Sequence, residues 1–213
     1  MKDENAIAAA LLDAEAVKIN AEVPFTWTSG LKSPIYCDNR KLLSLPISRD
    51  LIKSELCRFI FEEFPEADVI AGVATAGIPW AAMISDQLKM PMVYVRSAPK
   101  AHGMGSSIEG KIAEKDSTVV IEDLISTGKS SLQACNNLIE AGAIIEGVIS
   151  IFNYGIPSAA ADFNKAGIKV YSLCSYQDLL DSALQRNYIS EESTAKLLKW
   201  KEDPENWSKF AQI

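Results

Sequence analysis

Two adjacent carboxylates, Glu122 and Asp123, end an apolar run and are followed at once by small, hydroxyl-bearing and basic residues. The stretch reads Val119-Val120-Ile121-Glu122-Asp123-Leu124-Ile125-Ser126-Thr127-Gly128-Lys129-Ser130-Ser131. A buried strand that delivers acids to a short turn opening a helix can do two things at once. Its carboxylates accept hydrogen bonds from hydroxyl groups. Its turn presents unpaired backbone N–H groups, at the positive end of the helix dipole, to a phosphate. Gly128 permits close backbone approach, and the hydroxyls of Ser126, Thr127 and Ser130 add donors. A sugar phosphate suits both halves. The nucleoside-triphosphate P-loop is excluded, because Asp123 stands where that motif needs a glycine, even though Lys129 fits. The bland reading is a helix capped by Ser126 or Thr127 beside two solvated acids. It leaves the pairing of acids with an anion cradle unexplained.

Three further segments carry candidate chemistry. Tyr94-Val95-Arg96-Ser97-Ala98-Pro99-Lys100-Ala101-His102-Gly103 gathers three cationic or donor side chains, Arg96, Lys100 and His102, the last being the only histidine. Glycines at 103 and 105 make this a polar, flexible context in which a phosphate contact suits His102 better than a core role. Ala71-Gly72-Val73-Ala74-Thr75-Ala76-Gly77-Ile78-Pro79 lacks a dinucleotide fingerprint. Two readings of it stand equally: close strand-to-helix packing through small residues, or backbone N–H groups of Thr75, Ala76 and Gly77 offered to an anion. The third segment runs from Phe25 to Arg40 and includes Lys32, Tyr36 and Arg40. Tyr36 by itself reads as a half-buried strand aromatic.

The elements that must position these residues follow from the hydrophobic pattern. Runs rich in β-branched residues occur at 68–73, 92–96, 118–122, 144–152 and 169–174. Helix-length segments at 79–89, 129–141 and 157–166 lie between them. Near-continuous apolar strands alternating with helices predict an α/β fold: a parallel, doubly wound sheet of about five strands with helices on both faces. Ligands bind such sheets outside the carboxyl ends of the strands. The interval 97–116 has no convincing helix and reads as a functional loop. Upstream, Ile7, Ala10, Leu11, Ala14, Val17 and Lys18 predict a first helix. A polar, aromatic stretch with prolines at 24, 34 and 46 follows, and then a second helix capped by Ser48 and running toward Pro65. The tail, with Trp200 and Trp207 as core anchors, is expected to be helical.

The chain has 213 residues, 48% hydrophobic and 23% charged, with a net charge of −7. Such a balance disfavours a nucleic-acid surface. No apolar stretch reaches the roughly 18 residues that a membrane span needs. The acidic start does not resemble a targeting peptide. Cys37, Cys57, Cys135 and Cys174 lie far apart and fit reduced thiols in the cytoplasm better than a zinc site.

The carboxylate-to-serine stretch resembles the phosphoribosyl-diphosphate signature of the type I phosphoribosyltransferases. The loop at 94–103 and the segment at 25–40 narrow the resemblance to the orotate phosphoribosyltransferase family, over about 25–152. That resemblance implies the type I phosphoribosyltransferase fold with an N-terminal hood and a long mobile loop. It also implies one domain over 1–213, divided into N-terminal helices and hood (1–66), α/β core (67–175) and C-terminal helices (176–213). Glu122 and Asp123 would lie near the ribose hydroxyls, Ser126 to Ser130, including Thr127, Gly128 and Lys129, would wrap the 5-phosphate, and Leu124 and Ile125 would complete the phosphoribosyl-diphosphate-binding stretch. Thr75, Ala76 and Gly77 would meet the diphosphate. Arg96, Lys100 and His102 would act on the leaving diphosphate from a loop that closes over a neighbouring subunit's site, which makes a homodimer. Tyr36, Ser126, Lys32 and Arg40 would hold orotate. Mg²⁺ would be held mainly by substrate oxygens near Asp123.

The implied reaction joins orotate to 5-phosphoribosyl 1-diphosphate and yields orotidine 5-phosphate and diphosphate. Its difficult moment is the departure of diphosphate from the anomeric carbon, so charge stabilisation and water exclusion should dominate. Alternatives are a phosphoribosyltransferase for another base and a non-catalytic sensor of phosphoribosyl diphosphate; the second lacks an appended nucleic-acid-binding module. Thr28, Ser97, Ala98 and Tyr154 stand where relatives carry basic residues, so other donors must meet the orotate carboxylate. The length leaves no room for a fused decarboxylase, and a monofunctional enzyme is expected.

Overall fold

The computed structural model describes residues 5–20, 22–27, 30–96 and 107–207. In chain order they form α1 (Ala6–Asp13), β1 (Val17–Ile19), β2 (Phe25–Thr26), β3 (Lys32–Ser33), β4 (Ile35–Cys37) and a 3-10 helix (Asn39–Ser44). Next come α2 (Pro46–Glu63), β5 (Val69–Val73), α3 (Gly77–Leu88), β6 (Met92–Val95), β7 (Ile108–Glu109) and β8 (Ser117–Ile125). The chain continues through α4 (Lys129–Glu140), β9 (Ile144–Asn153), α5 (Pro157–Ala166), β10 (Val170–Ser175), α6 (Tyr176–Gln185) and α7 (Glu191–Glu202).

Side chains alternate along a strand, so a sheet covered on both faces needs apolar residues at every position. The central sheet obeys this. Ile70, Val119, Ile121, Ile149 and Ile151 share one core with α1, α2, α3, α6 and α7. Val69, Ala71, Val73, Val120 and Val148 turn to the other face and pack with α4 and with Phe163 of α5. The strand order is β10-β9-β8-β5-β6-β7, and the first five strands are parallel. The sequence expectation of about five parallel strands therefore gains a sixth: Ile108 and Glu109 pair antiparallel with Val95 and Tyr94. Two residues are too few for a periodicity signal.

Other departures have local causes. The first helix stops at Asp13 instead of running to Lys18, because Glu15 takes a left-handed φ of 50° and Val17–Ile19 pairs with β4. The second helix begins at Pro46, where proline's missing N–H costs nothing at a first helical position, so Ser48 lies inside the helix and is not its cap. The carboxylate strand reaches Ile125, since β9 continues to pair with it through Leu124 and Ile125.

The described residues of segment 17–44 form a hood of short antiparallel pairs, β1 with β4 and β2 with β3. The far end of the chain holds it in place. Trp200 of α7 is fully buried and its indole N–H donates to the Lys32 carbonyl at 2.9 Å. Its ring lies edge-on to Trp27 and to Tyr154, and Trp27 packs on Tyr154 with ring centres 4.7 Å apart.

Candidate active site

Helix starts leave backbone N–H groups without intrahelical partners, and most helices here satisfy or remove them. Asn5, Ser175 and Ser190 cap α1, α6 and α7 with their side chains, while α2 and α5 begin on proline. The remaining two, α3 and α4, have neither device. Both follow strands of the central sheet, β5 and β8, so their open N-termini lie at its carboxyl edge. Free N–H groups at that edge are the kind of donors that can cradle an anion.

The cradle at α4 is built around Gly128, which caps the helix with φ 73°. Neither Ser126 nor Thr127 caps it. Both are half-buried, while Lys129 and Ser130 are exposed. Ser130 and the buried Ser131 donate their hydroxyls to Glu122 Oε2 at 3.3 and 3.0 Å, and the Asp123 N–H donates to Glu122 Oε1 at 3.2 Å. Glu122 thus ties the strand end to the first turn of α4. Burial first, and then the neighbouring Asp123 charge, push Glu122 up to about 8, with a hydrogen bond between the two side chains. Asp123 is also raised, chiefly by burial. Of the pair, Glu122 is the inner member and Asp123 the half-buried, outer one. Leu124 lines a cleft, whereas the Ile125 side chain is buried in the core.

At α3, Gly77 lies so close to β8 that a Cβ there would overlap the Ile121 carbonyl oxygen. A Cβ on Gly72 would meet that of Ala81 at 3.0 Å. Close strand-to-helix packing is therefore present, and it leaves Thr75 exposed and Ala76 half-buried in the turn before the open helix start. The peptide between Ala74 and Thr75 is cis.

The hood supplies a second wall. Thr26, Trp27, Tyr36, Cys37, Leu124, Ser126, Thr127 and Tyr154 enclose a cleft of about 400 Å³. Tyr36 and Ser126 are thus brought together. Lys32 is not among them: its amine donates to Thr26 Oγ1 at 2.7 Å, and it lines an adjoining cleft of about 580 Å³ that includes Thr127 and Lys129. Arg40 forms an ion pair with Asp38 at 2.6 Å, and its charge reaches Asp123. Arg96, at the end of β6, pairs with Glu109 at 3.4 Å. Lys100 and His102 lie outside the described residues, as do Thr28, Ser97 and Ala98.

Tyr154 is buried and its hydroxyl is pushed well above its ordinary value, mainly by desolvation. It offers the cleft a neutral aromatic wall. Asn39 was no candidate from sequence, yet it is fully buried and its amide donates to the Asp123 carbonyl at 2.6 Å. From sequence it was only one residue of the polar segment 25–40, with nothing in its type or spacing to mark it.

The family described as the phosphoribosyl transferase domain matches residues 44–156. Orotate phosphoribosyltransferase of Enterococcus faecalis is 52% identical over 203 residues, covering 95% of this chain and 97% of that protein. Orotate phosphoribosyltransferase from Aeropyrum pernix is similar in structure, with a TM-score of 0.75, 27% identity, and coverage of 86% and 99% of the two chains. UMP synthase of Leishmania donovani gives a TM-score of 0.78 at 28% identity, covering 92% of this chain and 41% of that longer one.

Proposed function

The chain belongs to the orotate phosphoribosyltransferases of the phosphoribosyl transferase family, and from that premise we infer how its residues divide the reaction. It transfers the phosphoribosyl group of 5-phosphoribosyl 1-diphosphate to orotate, giving orotidine 5-phosphate and diphosphate in pyrimidine biosynthesis. One observation carries the assignment of roles: the two open helix starts, at α3 and α4, flank the strand-end pair Glu122–Asp123.

The 5-phosphate takes the α4 cradle, with N–H groups of Thr127 to Ser130 and the hydroxyls of Ser126, Thr127 and Ser130 as donors. Asp123 accepts from the ribose hydroxyls, and Glu122 keeps the cradle's first turn in register with it. The diphosphate lies toward Thr75, Ala76 and Gly77 at the open start of α3. Orotate enters the cleft between Tyr36 and Ser126, with Lys32 and Arg40 as the nearby hood cations. Arg96 exchanges its Glu109 partner for the departing diphosphate, where Lys100 and His102 add positive charge. These groups stabilise the charge that develops as the anomeric bond breaks.

Mg²⁺ suits this donor set. Among the described residues no cluster of three or more His, Cys, Asp or Glu could hold a metal ion. Asp123 offers one hard oxygen donor, and the remaining ligands would come from substrate oxygens and water. When bound, the ion neutralises charge on the diphosphate. A homodimer with shared sites is the assembly proposed. No helix among the described residues is long and apolar enough to cross a membrane, and the four buried free cysteines suit a cytoplasmic setting.

Diphosphate release from phosphoribosyl diphosphate and Mg²⁺, measured with orotate, uracil, adenine and hypoxanthine in turn, tests the base assignment. Release with orotate alone is expected. Equal release with a purine would replace this reading with the purine-base alternative.

A further inference from the structure

The two substrates are assigned to different structural units. Tyr36, beside the base, belongs to the hood, and Asp123, beside the ribose, belongs to the central sheet. Reaction requires a nitrogen of one to stand at bonding distance from a carbon of the other, so the offset between the units matters as much as either site. Aromatic packing of Trp27 on Tyr154 holds the hood down, but ring contacts tolerate sliding. A directional contact is needed to fix the register.

Asn39 supplies one. It sits three residues beyond Tyr36, is fully buried, and donates through Nδ2 to the backbone carbonyl of Asp123 at 2.6 Å. Its Oδ1 accepts from the Cys37 thiol at 3.1 Å, which fixes the amide's orientation. Cys37 in turn pairs through β4 with Val17 of β1. A continuous path therefore runs from the Tyr36 strand through Cys37 and Asn39 to the residue that faces the ribose. On the exposed side of the same turn, Asp38 holds Arg40 by both Nε and Nη2, at 2.6 and 3.0 Å.

We propose that Asn39, oriented by the Cys37 thiol, is a positioning residue that sets the offset between the base platform at Tyr36 and the ribose-binding carboxylate of Asp123. The proposal rests on the placement of base and ribose given above. It touches neither substrate, so its loss should leave each one's separate affinity largely intact. What suffers is the geometry of the pair. Misplacement on the scale of an ångström costs on the order of a hundredfold in rate.

The test compares Asn39→Leu, Cys37→Ala and Cys37→Ser with the wild-type enzyme. Turnover is measured, together with dissociation constants for orotate, for ribose 5-phosphate, and for orotidine 5-phosphate, which spans both units. Asn39→Leu is expected to lower kcat by about tenfold to a hundredfold. Its affinity for orotidine 5-phosphate should fall by more than the product of the two fragment losses. Cys37→Ala should show the same pattern more weakly, and Cys37→Ser, which keeps an O–H donor, should recover part of it. A folded Asn39→Leu enzyme with kcat within about twofold of wild type, or with losses that simply multiply, overturns the proposal. Should Asn39→Leu fail to fold, the cysteine pair decides: kcat higher for serine than for alanine supports the tie, and equal values overturn it. Tyr36→Ala run alongside separates the two ways of failing. Unchanged orotate affinity there means that the base lies elsewhere, which overturns the proposal through its premise.

Discussion

Gly128 lies against the ring of Phe163, so close that a Cβ on the glycine would stand 2.6 Å from Phe163 Cε2. The same glycine has φ 73°, where a side chain is strained regardless of space. Helix α5 thus presses from behind on the turn proposed to hold the 5-phosphate, and the turn keeps its shape because residue 128 has no side chain. Gly128→Ala should weaken phosphoribosyl diphosphate binding and lower stability by about 1–3 kcal/mol. Adding Phe163→Leu should restore part of the affinity by removing the overlap but not the backbone strain. Calorimetry on both variants checks this. An alanine variant with wild-type affinity would remove the turn from the phosphate site.

Trp200 joins α7 to the hood through its bond to the Lys32 carbonyl. Trp200→Phe keeps most of the buried ring and leaves that carbonyl without the indole donor. A loss of about 0.5–1.5 kcal/mol is expected, as for a part-buried hydrogen bond whose acceptor water can reach. Because the hood carries Tyr36, KM for orotate should rise more than KM for phosphoribosyl diphosphate. Equal rises would mean that the tryptophan serves stability alone.

Burial and the Asp123 charge raise Glu122 from an ordinary value of 4.5 to about 8. Between those limits the folded chain holds a proton more tightly than the unfolded chain does. Stability should therefore be fullest below about pH 4.5 on this account and fall as pH rises toward about 8. Glu122→Gln removes the titration and should flatten that fall. Urea midpoints of the metal-free, ligand-free protein at about pH 5 and about pH 8 read the difference. Identical slopes for the two proteins would dismiss Glu122 as the source.

If, as proposed, the Lys100 charge acts on the departing diphosphate, Lys100→Ala should cut the chemical step by on the order of 10²–10³ while changing substrate affinity much less. Lys129→Ala should do less, since backbone N–H groups carry the cradle beside it. Mixing Lys100→Ala with Asp123→Asn subunits tests the shared site. If the protein is a dimer with shared sites, as proposed, a mixed dimer holds one site with both defects and one with neither, so activity should exceed that of either parent. No recovery would place both residues in one subunit's site, and unaffected single-turnover rates would end the catalytic role of Lys100.

Sequence alone determined what depends on neighbours along the chain. The strand-turn-helix from Val119 to Ser131 was legible because β-branched residues, Gly128 and the amphipathic α4 act within a few residues of one another. The two-faced sheet was legible because apolar residues at every strand position have no other use. Tertiary structure decided where the sheet ends and how the site is closed. Two-residue β7 exists only because β6 offers an unpaired edge, and α1 stops at Asp13 because Val17–Ile19 finds β4. The tie from Asn39 to Asp123 spans 84 residues, and the one from Trp200 to Lys32 spans 168. Each donor has many acceptors within its chemical reach, and only the packed chain selects one. For that reason candidate binding groups could be proposed from their types and spacing, while the contacts that tie the hood to the central sheet could not.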